Sequence, residues 1–122
     1  MNEPKVIKID NVEYVRKDSM NQDAEKFEGM PYVIIRTYSA GVHAGYLKEK
    51  NGKMCTLINS RRIHYWEGAA SLSQMAMEGV NKPDNCRFPC EVGILELTEA
   101  IEYLYCTEKA KLSIQGVKVW AK

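Results

Sequence analysis

The dipeptide Asn51-Gly52 constrains this chain more than any other feature. A two-residue hairpin loop needs positive φ, and Asn and Gly adopt it at the least cost. Side chains alternate on both sides of it, in VHAGYLKEK before and KMCTLIN after. The chain is therefore expected to reverse between two antiparallel strands at Asn51-Gly52, in a type I′ turn. Upstream, YVIIRTY puts Val33, Ile35 and Thr37 on one face and Tyr32, Ile34, Arg36 and Tyr38 on the other. RRIHYW reads as a fourth extended segment. Four strands in about 35 residues predict an antiparallel meander, coiled or barrel-like.

The period then changes. In SLSQMAMEGV, Leu72, Met75, Ala76 and Gly79 recur at helical spacing. Ser71 and Gln74 have the spacing of a capping box, and Gly79 stands where a helix stops. NKPDN is a loop, and EVGILEL alternates as a strand. TEAIEYLYC fits either period, but its aromatic and β-branched content favours a strand. TEKAKLSIQG predicts a second short helix, with Thr107 as N-cap and Gly116 beyond its end. VKVWAK ends the chain extended. Near the N-terminus, KVIKIDNVEYVR predicts a hairpin turning at Asp10-Asn11, and KDSMNQDAEKFEGM a linker or loose turn of helix. The expected fold is α+β: a coiled antiparallel sheet with two short helices. An N-terminal hairpin and linker occupy residues 1–30, and a ligand-binding domain occupies residues 31–122.

Bulk properties exclude several classes. The 122 residues suit one core, and a net charge of +1 calls for neither nucleic acid nor an acidic membrane. No apolar run is long enough to span a bilayer, and no signal-peptide pattern opens the chain, so a cytosolic address is expected. The four cysteines lack paired knuckle spacing; they read as reduced thiols, and no metal or cofactor is expected.

Ser39 and His43 share one corner, but no orienting carboxylate accompanies them, and no nucleotide-hydrolase or hydrolase motif appears. Glu96, Glu99 and Glu102 read as solvated side chains. No catalysis is expected. A binding surface has more support. Strand alternation in RRIHYW puts Arg62, His64 and Trp66 on one side and Arg61, Ile63 and Tyr65 on the other. Arginine pairs with phosphate and tryptophan stacks on a base. Gly68 and Ser71 follow, in a turn that leads to a helix N-terminus. The plainer alternative makes Trp66 core, the arginines surface and Ser71 a cap.

The runs YVIIRTYSAGVHAGYLKEKNGK, NSRRIHYWEGAASLSQMAMEGV, PDNCRFP and LTEAIEYLYCTEKA resemble a family of small phage proteins of Thoeris anti-defence. Members of that family are sponges. They bind the cyclic ADP-ribose signal of bacterial TIR proteins without cleaving it, and some also bind cyclic oligonucleotides. The resemblance implies a homodimer or hexamer acting in the host cytoplasm, with a largely buried ligand. It implies stacking by Trp66 and Tyr38, phosphate contacts from Arg36, Arg61 and Arg62, and close approach at Gly41 and Gly45. Ser39, His43, Gly68, Ser71, Asn85 and Arg87 complete the expected pocket. Two other readings stand beside it: a small phage β-barrel module that contacts nucleic acid or a protein, and an enzyme that hydrolyses the same signal.

Overall fold

The computed structural model describes residues 22–121, so the hairpin expected over residues 5–16 lies outside the described residues. The elements are β1 (Tyr32–Thr37), β2 (Val42–Asn51), β3 (Met54–Arg62), α1 (Leu72–Glu78), a single 3₁₀ turn (Pro83–Asn85), β4 (Val92–Leu97), β5 (Ala100–Tyr105) and α2 (Glu108–Gly116). The protein is an α+β fold built on one five-stranded antiparallel sheet, in the order β4-β3-β2-β1-β5.

That order forces the sheet to curl. β4 and β5 are its two edges, yet only Thr98 and Glu99 separate them in the chain. Such a link spans about 11 Å. The edges of a flat five-stranded sheet lie about 19 Å apart. Three register shifts relieve the mismatch, at Arg36/Thr37, Ala44/Tyr46 and Leu47/Glu49. Each sharpens the local twist. At the closed end, Tyr38 donates its backbone N–H to Glu99 O, and Ala100 donates to Lys53 O, both at 3.0 Å.

Curling gives β1 two buried faces. Val33 and Ile35 point inward with Leu47, Cys55, Leu57, Leu97 and Ala100. Tyr32 and Ile34 point outward into a second core, where Met75 and Ala76 of α1 and Ala110 and Ile114 of α2 cover the sheet. The alternation expected for YVIIRTY is therefore present, with both faces apolar because both are covered. The helix caps also match expectation. Ser71 Oγ accepts from Gln74 N, and Thr107 Oγ1 from Ala110 N, each at 3.1 Å. Gly116 is the last residue of α2 rather than the residue after it.

Two strand boundaries differ from expectation. Asn51 pairs with Met54, so the β2–β3 loop is Gly52-Lys53, and Gly52 supplies the positive φ of 63°. RRIHYW is not a separate strand: β3 runs on through Arg62, past Asn59 at φ 51°. Residues 23–30, expected as linker, lie against the domain. Ala24 is buried and donates its N–H to Cys106 O at 3.0 Å.

Gly45 sits at the β2 irregularity, where a Cβ would stand 3.0 Å from Ser60 Cα and 3.2 Å from Ile58 O. The close approach that this glycine permits is strand to strand, not strand to ligand. Gly45→Ala is expected to destabilise the protein by about 1–3 kcal/mol. Gly93→Ala, where a Cβ meets nothing within 4 Å, is expected to change stability by about 0.5 kcal/mol or less. Urea unfolding of the two variants checks the contrast; equal losses would contradict it.

Candidate functional site

The residues expected to form one pocket fall into separate groups. The first surrounds the β1–β2 corner. Thr37 Oγ1 donates to Gly41 O at 2.7 Å and accepts from Ala40 N at 2.9 Å, which sets the turn. Ala40 O then receives two side chains, His43 Nε2 at 2.9 Å and Arg62 Nη1 at 2.7 Å. A carbonyl only accepts, so the His43 proton is on Nε2. His43 is 2 % exposed, which makes it a strut inside the corner and not a lid over a ligand. Burial, then the charge of Arg62, holds its pKa below the usual value. At Gly41, φ is +85° and a Cβ would stand 3.0 Å from Arg62 Nη1. Arg36 pairs with Glu102 at 2.9 Å, and Ser39 Oγ donates to Glu99. These two glutamates are thus engaged by side chains rather than simply solvated. Tyr38 stands 80 % exposed.

Arg61 is the clearest correction. It is 3 % exposed, and its guanidinium donates to Pro89 O at 2.9 Å, to Ile114 O at 3.0 Å and to Phe88 O at 3.0 Å. Those bonds commit it to main chain and leave no face for a phosphate. Trp66 is also structural. Its indole N–H donates to Ala69 O at 3.2 Å and its ring packs against the outer core. Gly68, at φ +91°, lies so close to Asn81 that a Cβ would meet its backbone N at 2.7 Å. Ser71 is occupied as the cap of α1.

The second group forms a cleft. Three extended segments lie side by side: Tyr65 bridges antiparallel to Arg87, and Phe88 bridges parallel to Val119. Arg87 N donates to Tyr65 O at 2.8 Å, and Trp120 N to Phe88 O at 2.9 Å. Flat groups meet on this ribbon. The His64 and Trp120 rings stack at 5.0 Å with only 10° between planes. The Arg87 guanidinium lies 5.8 Å from the Trp120 ring and 5.6 Å from the Tyr65 ring. Glu67 closes one side: Oε2 accepts from the Tyr65 hydroxyl at 2.7 Å, and Oε1 from Asn85 Nδ2 at 3.1 Å. Tyr65, Glu67, Asp84, Asn85, Arg87 and Trp120 line an open cleft of about 540 Å³, with Cys86 beneath. The bonds from Tyr65 and Asn85 hold the Glu67 carboxyl below the usual carboxylate range, and the same Tyr65–Glu67 bond raises the tyrosine.

Asn85 and Arg87 are thus the expected site residues that this cleft contains. Tyr65, Glu67 and Trp120 were missed. Strand alternation in the sequence puts Tyr65 on the face opposite Trp66, and Trp120 falls in a segment expected only to be extended. No local pattern joins them, because Tyr65, Arg87 and Trp120 lie far apart in the chain and meet only through the Tyr65–Arg87 and Phe88–Val119 bridges.

The chain belongs to the family described as a domain of unknown function (DUF6948), whose model matches residues 30–114. The match covers all five strands and most of α2; Trp120 lies beyond it. No curated protein and no solved structure matches the chain.

The corner generates a pH prediction. The folded pKa of His43 lies below its ordinary 6.5, so the unfolded chain binds this proton more readily. The contribution is complete above about pH 6.5 and is lost as pH falls through the folded value. The melting temperature should therefore decline between about pH 7 and about pH 5. His43→Gln, which retains a donor, should flatten that decline. An unchanged slope in the variant would place the pH dependence elsewhere.

Proposed function

We propose that the protein is a binder that sequesters a nucleotide signal in the cleft between Tyr65 and Trp120, without catalysis. The observation that carries this reading is the His64–Trp120–Arg87–Tyr65 cluster, in which two rings stack face to face and a flat cation lies 5.6 and 5.8 Å from two ring centroids. A nucleobase fits such a surface, because every base offers a π-face to an aromatic ring or a guanidinium. Asn85 and Glu67 add fixed polar groups that orient a base edge. The corner supports the non-catalytic half. Ser39 bonds Glu99 and His43 bonds Ala40, so the two do not form a nucleophile–base pair.

The resemblance to anti-defence sponges supplies the setting: a phage protein that binds a cyclic ADP-ribose isomer or a cyclic oligonucleotide and so silences TIR-based immunity. Support for the pyrophosphate of cyclic ADP-ribose is weaker than for a base, because Arg36, Arg61 and Arg62 all have protein partners. A second reading, contact with a protein partner, draws support from the edge strand β4, where Val92 and Ile94 stand exposed. Among the described residues no helix is long and apolar enough to cross a membrane.

The test is thermal melting with a panel of cyclic ADP-ribose isomers and cyclic oligonucleotides, followed by heat release and chromatography of the ligand. A ligand present at about a hundred times its Kd should raise the melting temperature by roughly 10 °C. The released ligand should be intact. Recovery of a cleaved product would make the protein an enzyme. No shift with any nucleotide would leave the partner-binding reading in its place.

A further inference from the structure

The polar wall of the cleft is a carboxylate held by two donors. The Tyr65 hydroxyl takes one lone pair of Glu67 Oε2, and Asn85 Nδ2 takes one of Oε1. A carboxylate has about four acceptor sites. One remains on each oxygen, and the side chain is fixed from both ends. Hydrogen bonding also keeps the group ionised at neutral pH.

Purines differ at the edge that such a group reads. Guanine presents N1–H and a 2-amino group, two adjacent donors that match the two oxygens of a carboxylate. Adenine presents an unprotonated N1, whose lone pair faces the same oxygens in repulsion. A carboxylate cannot donate to N1, so adenine offers it one donor, the 6-amino group, where guanine offers two.

We infer that the cleft selects guanine nucleotides, with the base against the Trp120–Arg87 stack and its N1–H and 2-amino group on Glu67. This rests on the cleft being a nucleotide site. Within that reading it favours a guanine-bearing signal over the adenine of a cyclic ADP-ribose isomer.

The experiment titrates GMP, IMP and AMP into the full chain and into Glu67→Gln and Trp120→Ala, read by calorimetry, with melting curves to confirm that the variants are folded. GMP should bind at least about fivefold tighter than AMP, the lower end of what a bidentate pair discriminates. IMP keeps N1–H but lacks the 2-amino group, and should fall between them. Glu67→Gln should close the gap between GMP and AMP, and Trp120→Ala should weaken all three. Equal binding of GMP and AMP, lost in Trp120→Ala, would overturn guanine selection and leave the nucleotide site standing. A GMP preference that survives in Glu67→Gln would overturn the role of Glu67. Binding of none of the three would overturn both the selection and the nucleotide reading beneath it.

Discussion

A buried cation without a carboxylate among its hydrogen-bond partners organises one side of this protein. Burying an isolated guanidinium costs several kcal/mol even after relaxation. Arg61 is held instead by three carbonyls, Phe88, Pro89 and Ile114, and by the ring of Phe88 at 5.5 Å. Charge-assisted hydrogen bonds contribute about 1.5–3 kcal/mol each. Ile114 lies in the last turn of α2, where the negative end of the helix dipole favours a cation. Burial pulls the Arg61 pKa down, yet a guanidinium remains charged at any physiological pH. The charge is therefore tolerable only if the end of β3, the 88–89 segment and the end of α2 stay together.

That constraint reaches the cleft through one atom. Phe88 O accepts from Arg61 Nη2 and also from Trp120 N. Fixing Phe88 fixes Arg87 beside Tyr65 and anchors the extended segment that carries Trp120. The cleft is thus built at the margin of the fold, on short bridges rather than on the five-stranded sheet. The sheet supplies rigidity: its curl buries both faces of β1 and leaves α1 and α2 one continuous surface to cover.

The architecture was legible where local chemistry decides. Alternation and the Asn-Gly turn point to β1 to β4, and aromatic and β-branched content, not periodicity, to β5. Ser71 and Thr107 located the helix starts, because a hydroxyl before a periodic run has little else to do. The β2–β3 loop was read one residue early, since Asn-Gly suits a type I′ turn but does not fix the pairing register. The sequence also placed Arg61 and Arg62 on opposite faces, and they are. Which of the two is buried depends on α2, more than fifty residues later, and no local pattern encodes that. The same limit hid the cleft. Tyr65, Arg87 and Trp120 come from three distant segments that meet only through tertiary pairing. The conspicuous aromatic, Trp66, proved to be a packing residue because the loop carbonyl of Ala69 lies within reach of its indole N–H.

The chain contains two tryptophans, and they stand in different settings. Trp66 is tied to Ala69 O and packed on the core; Trp120 is 45 % exposed and stacked in the cleft. Each gives its own indole N–H signal in a ¹H–¹⁵N spectrum, assignable with Trp66→Phe and Trp120→Phe. Titration with GMP should move the Trp120 signal and leave that of Trp66 in place. Movement of the Trp66 signal with Trp120 unchanged would contradict the account and return the binding surface to the RRIHYW segment.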